Sequence, residues 1–263
     1  MNRIEKTFSC LAQDKKKGLV VYLMAGHPSP EATLPLMHAC VEAGADVIEL
    51  GIPFSDPIAD GPIIAEAAQK ALLQGMNQEK ALELALQFRA QDPKTPIVVM
   101  GYLNPVEAMG MERFALRAAS SGVDGVLLVD LSAEESSGYL PVLAKNGLFL
   151  IFLVSPTTSR TRMQKIASLA QGFIYYVSLK GVTGASGVSP KEVCAHVEAL
   201  RGISSLPIAV GFGIRGKEEA RAIASCADAI VVGSQIVALA EKGRQEVFDF
   251  VRGLRRVLDG KEK

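Results

Sequence analysis

Glu49, Asp56 and Asp60 are acidic residues standing close together in the chain. Glu49 lies in Val47–Leu50, an apolar run that reads as a short buried strand, with Ile48 and Leu50 on either side. Asp56 and Asp60 belong to the Pro/Gly-rich loop that follows, up to Gly61-Pro62. Burial raises a carboxyl pKa, whereas a solvated loop carboxylate stays ionised. A strand carboxyl and a loop carboxylate can therefore divide acid/base work on one substrate. Each residue also has a plainer reading. Glu49 can be a buried carboxylate paired with Lys or Arg. Asp60 can cap a helix starting at Pro62, because Asp is a good N-cap and Pro suits the first turn. Asp56 before Pro57 can simply shape a turn.

A second chemical signal lies in three Gly-rich stretches: Gly181-Val-Thr-Gly-Ala-Ser-Gly187, Gly211-Phe-Gly-Ile214 and Gly233-Ser234. Glycine lets backbone N–H groups approach an anion closely, and Ser234 opens a predicted short helix whose N-terminus favours negative charge. Each stretch alone reads as a turn. Their order, after the last three strands, points to a phosphate site.

The elements that must carry these residues alternate regularly. Predicted strands are Leu19–Ala25, Val47–Leu50, Ile97–Tyr102, Gly125–Val129, Phe149–Val154, Ile174–Val177, Ile208–Gly211 and Ala229–Val232. They are apolar runs rather than alternating ones, as expected where both faces are covered. Predicted helices between them include Glu31–Ala43, Gln78–Gln91, Val106–Ser121, Glu134–Asn146, Lys191–Leu200, Lys217–Ser225 and Gln245–Leu258. Eight strand–helix units fit an α/β fold, a (β/α)8 TIM barrel, with an extra N-terminal helix and short additions such as Ile63–Gln74. One domain over 1–263 is expected. An open doubly wound sheet is the rival, but Met24-Ala-Gly-His-Pro28 is no Gly-x-Gly-x-x-Gly fingerprint. In barrels, chemistry gathers at the C-terminal strand ends. That rule selects Glu49, Tyr102, Asn104, Asp130 and Tyr175.

Composition narrows the partners. The chain has 263 residues, 49% hydrophobic, with 28 Lys+Arg against 28 Asp+Glu, so nothing favours nucleic acid or an anionic membrane. No apolar run approaches the roughly 20 residues of a membrane helix, and Met1–Phe8 lacks a signal-peptide core. Cys10, Cys40, Cys194 and Cys226 are scattered, so free thiols in a reducing cytoplasm are expected. His27, His38 and His196 show no metal-ligand spacing, and no metal is expected.

The segment Glu49-Leu-Gly-Ile-Pro-Phe-Ser-Asp-Pro-Ile-Ala-Asp-Gly-Pro62 resembles the signature of the tryptophan synthase alpha subunit family. So do Gly101-Tyr-Leu-Asn-Pro105, Ser155-Pro-Thr-Thr158, Tyr175-Tyr-Val-Ser178, Gly181-Val-Thr-Gly184, Gly211-Phe-Gly-Ile214 and Val232-Gly-Ser234, in the family's order and across almost the whole chain. The resemblance implies retro-aldol cleavage of indole-3-glycerol phosphate to indole and glyceraldehyde 3-phosphate. It implies Glu49 as general acid and Asp60 as the group on the indole N–H. Gly184, Phe212, Gly213, Gly233 and Ser234 match the phosphate cradle. Tyr22, Met100, Leu127, Val129, Leu153, Tyr175 and Thr183 match the substrate pocket. By residue type alone, Tyr22, Met100, Leu127, Val129 and Leu153 suit a barrel core equally well.

The resemblance further implies no cofactor in this chain and a beta subunit partner, holding pyridoxal phosphate, in an alpha2-beta2 assembly. Pro53, Asp56, Pro57, Asn104 and Pro105 are the implied contact points. An alternative is a chain acting mainly as an allosteric activator of that partner. The sequence departs from the family pattern at His27, where Asp is usual, at Leu179-Lys180 and at Ser132-Ala133.

Overall fold

The structure, a computed structural model, describes residues 1–177, 189–211 and 213–261. Its strands are β1 (Gly18–Met24), β2 (Val47–Gly51), β3 (Ile97–Gly101), β4 (Gly125–Leu128), β5 (Phe149–Leu150), β6 (Phe152–Val154), β7 (Ile174–Val177), β8 (Ile208–Gly211) and β9 (Ala229–Val232). They form one sheet in the order β5-β4-β3-β2-β1-β9-β8-β7-β6, every pairing parallel. The two ends of that order, β5 and β6, are separated only by Ile151. The sheet is therefore a nearly closed (β/α)8 barrel, and the open-sheet rival falls away.

Phe149–Val154 was expected as one strand. Its lower part, β5, pairs with β4 and its upper part, β6, pairs with β7. Ile151 bridges the two and still donates to the Val126 carbonyl at 2.9 Å. The strand thus changes partner as it climbs, as a staggered, tilted barrel requires.

The helices are α1 (Arg3–Gln13), α2 (Pro30–Ala43), α3 (Pro62–Leu73), α4 (Gln78–Gln91), α5 (Leu103–Met109), α6 (Met111–Ser120), α7 (Leu140–Lys145), α8 (Arg160–Leu169), α9 (Pro190–Arg201), α10 (Lys217–Ala224), α11 (Ser234–Ala240) and α12 (Arg244–Leu258). Local chemistry starts and stops them. Ser29 accepts from the Ala32 N–H ahead of α2, whose first residue is Pro30, and Gly44 ends that helix at φ +111°. Two expectations change here. The single helix predicted over 106–121 is broken at Gly110, which sits at φ +87°. The segment predicted over 134–146 holds a short 3-10 turn and the brief α7.

Two apolar layers fill the molecule. The outer one lies between strands and helices. The inner one, inside the barrel, contains Val20, Val47, Val98, Leu127, Ile151, Phe173, Ala209, Ala229 and Val231. Ile4, Phe8 and Leu11 of α1 belong to this inner layer, so α1 plugs the barrel floor. Its Phe8 ring lies 5.4 Å from Phe173. Asn2 and Glu5 form a capping box on α1, and the Asn2 amide also donates to the Asp124 and Gly147 carbonyls. With the floor sealed, the strands' C-terminal ends form the mouth.

The cysteine expectation is corrected. Cys194 and Cys226 form a disulfide, with Cα atoms 5.4 Å apart and a separation of 32 residues. Successive barrel units bring α9 beside the turn after α10, a proximity that no short Cys spacing encodes. Cys10 and Cys40 are free, one exposed and one buried. No helix among the described residues is long and apolar enough to cross a membrane.

Candidate active site

Glu49 sits on β2 between Tyr22 of β1 and Val98 of β3 in the strand register. Side chains alternate along a strand, so Glu49 shares the inward face of Val47. It is 1% exposed, and among the described residues its Oε1 has no hydrogen-bond partner. Among the described residues no Lys or Arg pairs with it, so the structural ion-pair reading fails there. Burial, with a smaller contribution from the Asp60 charge, lifts its pKa from 4.5 to about 8. Such a carboxyl holds its proton at neutral pH.

Asp60 ends the loop ahead of α3. The N-cap of that helix is Gly61, with no side-chain capping bond, so Asp60 does not cap it. Instead its Oδ2 accepts from the Tyr102 hydroxyl at 3.1 Å. The Ala59 N–H in turn donates to that hydroxyl at 3.1 Å. Tyr102 is buried just past β3, its ring 5.1 Å from that of Phe54. Asp60 was expected as a solvated carboxylate. It is half-buried, and burial raises its pKa while the Tyr102 bond lowers it. Tyr102 is thus a site residue that sequence reasoning marked only as a strand end.

Two further phenols close the group. Burial pushes Tyr22 and Tyr175 well above the ordinary range; the charges of Asp60 and Glu49 add to the effect at Tyr22, and that of Glu49 at Tyr175. Both rings need glycine opposite. A Cβ at Gly51 would collide with the Tyr22 hydroxyl, and one at Gly211 would lie 2.8 Å from the Tyr175 hydroxyl. Met100 neighbours Leu127 across β3 and β4, and Leu153 neighbours Tyr175 across β6 and β7. Leu127 is fully buried, as core. Met100, Val129, Leu153 and Tyr175 are half-buried and pack on the inner layer. The site therefore offers a neutral acid, a second carboxyl held by a phenol, and an apolar wall.

The other rim carries Gly213 at φ +62°, exposed, and Gly233 as the N-cap of α11, whose first residue is the exposed Ser234. Thr183, Gly184 and Phe212 lie outside the described residues. Of the implied contact points, Asp56 and Asn104 are exposed and Pro57 and Pro105 half-buried. Pro53 is buried. Asn104-Pro105, expected as a turn, lies in the first turn of α5, where the Asp130 carboxylate accepts from the Leu103 N–H at 2.8 Å. Among the described residues no group of three or more His, Cys, Asp or Glu is placed to hold a metal ion.

Residues 8–257 match the family model described as tryptophan synthase alpha chain. The chain is 50% identical to the tryptophan synthase alpha chain of Methylococcus capsulatus, over 98% of this chain and 100% of that one. It is 51% identical to that of Laribacter hongkongensis, over the same shares. The crystal structure of the tryptophan synthase alpha subunit from Legionella pneumophila superposes with a TM-score of 0.93 at 42% identity, covering 99% of each chain. With a barrel of this topology and a match of this length, the chain belongs to the tryptophan synthase alpha chain family, lyases of tryptophan biosynthesis that cleave indole-3-glycerol phosphate.

Proposed function

We propose that Glu49 is the general acid of this cleavage and Asp60 the residue that steadies the indole N–H. Glu49 protonates the indole carbon that bears the glycerol chain. Asp60 stabilises the positive charge this places on the ring. The carbon–carbon bond then breaks as the adjacent side-chain hydroxyl gives its proton back to the Glu49 carboxylate, releasing indole and glyceraldehyde 3-phosphate. The reading is carried by one observation: Glu49 is buried with its Oε1 unpartnered among the described residues, has a pKa of about 8, and senses the charge of Asp60. A carboxyl that stays protonated at neutral pH suits proton donation.

In this reading Tyr22, Met100, Leu127, Val129, Leu153, Tyr175 and Thr183 hold the indole and glycerol portions. Gly184, Phe212, Gly213, Gly233 and Ser234 hold the phosphate. The chain works as one barrel domain in the cytoplasm. It delivers indole to a beta subunit carrying pyridoxal phosphate, in an alpha2-beta2 assembly, through a surface that includes Asp56, Pro57, Asn104 and Pro105. Indole release from indole-3-glycerol phosphate by the purified chain tests the chemistry. Glu49→Gln should abolish release and Asp60→Asn should nearly do so; full activity in Glu49→Gln would remove Glu49 from the mechanism. If the double variant still stimulates the beta subunit, the partner role stands apart from the chemistry.

A further inference from the structure

We infer that His27 is a positioning residue that holds the end of β1 to α11, beside the Lys70–Glu241 pair that ties α11 to α3, and so sets the phosphate end of the site against the Asp60 end. This rests on the phosphate reading of Ser234 given above. His27 follows β1 and is 4% exposed. Its Nε2 lies 3.2 Å from the Val237 carbonyl of α11 and 3.6 Å from Oε1 of Glu241, the C-cap of that helix. That same carboxylate oxygen accepts from Lys70 of α3 at 2.8 Å, and Lys70 also pairs with Glu66 at 3.1 Å. The His27–Val237 bond thus ties the end of β1 to α11, and the Lys70–Glu241 pair ties α11 to α3, along one cleft of 260 Å3.

The bond to Val237 has a structural cause. In the last turn of a helix, carbonyls lack intrahelical donors. The Glu241 N–H bonds the Leu239 carbonyl rather than that of Val237. The His27 ring supplies the missing donor from outside the helix. The carbonyl can only accept, so Nε2 carries the hydrogen, and among the described residues Nδ1 has no partner, as suits the neutral tautomer that leaves it bare. Burial lowers the pKa of this histidine, in keeping with a neutral ring. A carboxylate at position 27 has no N–H to donate to the Val237 carbonyl, so the brace depends on the residue found here.

Val237 stands one helical turn from Ser234, whereas Glu66 stands further along α3 from Asp60. Loss of the brace should therefore act first on phosphate binding. His27→Leu should raise KM for indole-3-glycerol phosphate roughly tenfold, the scale of a small misplacement, with a much smaller change in kcat. His27→Gln, whose amide can still donate to Val237, should restore most of the KM. Glu241→Gln weakens only the link to Lys70 and should raise KM less; His27→Phe, which keeps a planar ring without an N–H, serves if His27→Leu fails to fold. Ser234→Asp, with its like charge at the phosphate position, should raise KM strongly. If Ser234→Asp raises KM while His27→Leu, or His27→Phe in its place, leaves it unchanged or only lowers Tm, the inference is overturned alone. If Ser234→Asp has no effect, the phosphate reading fails and the inference with it.

Discussion

At the scale of single residues, the site rests on two carboxyls made unlike by their surroundings. Among the described residues no cation compensates the charge of Glu49, which stays protonated up to about pH 8. Among the described residues the Tyr102 hydroxyl donates to Asp60, which favours its ionised form. Indole release should accordingly follow a bell: lost as pH rises through about 8, when Glu49 gives up its proton, and lost at low pH, when Asp60 takes one. Tyr102→Phe tests the second half of this. It removes a hydrogen bond to a charged group, worth about 1.5–3 kcal/mol, and should lower kcat/KM by roughly tenfold or more. Without that donor the Asp60 pKa rises, so the acid limb of the pH–rate profile should move to higher pH. An acid limb that stays in place would show that Tyr102 does not act through Asp60.

At the scale of elements, legibility varied with how far each feature depended on neighbours. Apolar runs such as Val47–Leu50 and Ala229–Val232 were readable because both faces of a barrel strand are covered. Glu49 was readable because it interrupts one of them. The split between β5 and β6 was not, because it arises from a change of pairing partner and leaves no mark in an unbroken apolar run. Helix α8 was not among the predicted helices: only Met163 and Ile166 of its residues are buried, so its apolar stripe is thin. The roles of Tyr102 and of the Cys194–Cys226 pair were hidden for a related reason, since each depends on how a turn brings separate elements together.

That disulfide carries its own prediction. It links α9 to the turn after α10 across 32 residues, and closing a loop of that length constrains the unfolded chain by about 3–4 kcal/mol. For a chain of this size, Cys194→Ser should lower Tm on the order of 10 °C without reductant. Reductant should bring the unmodified protein down to the same value and leave the variant unmoved. Equal Tm values for both proteins under oxidising conditions would show that the link adds no stability.

At the scale of the whole molecule, the barrel is closed at one end and open at the other. Helix α1 seals the floor with Ile4, Phe8 and Leu11, while the Asp60 loop follows β2 at the open end and is held there by Tyr102. On that loop Ile58 is 86% exposed, and Ile63, at the start of α3, is 45% exposed. Single exposed apolar residues are ordinary on a surface. Two on either side of Asp60 in the sequence are better explained by a partner that covers them, and Asp56 and Asn104 are exposed as well. Burying an isoleucine contributes about 1.5–3 kcal/mol, so losing that burial weakens association roughly ten- to hundredfold. Ile58→Lys should therefore weaken binding of the beta subunit by that factor, read by titration calorimetry, while indole release by the isolated chain stays at the unmodified level. Unchanged affinity would place the docking surface elsewhere on the barrel; a matching loss of isolated activity would show that Ile58 instead supports the Asp60 loop from within.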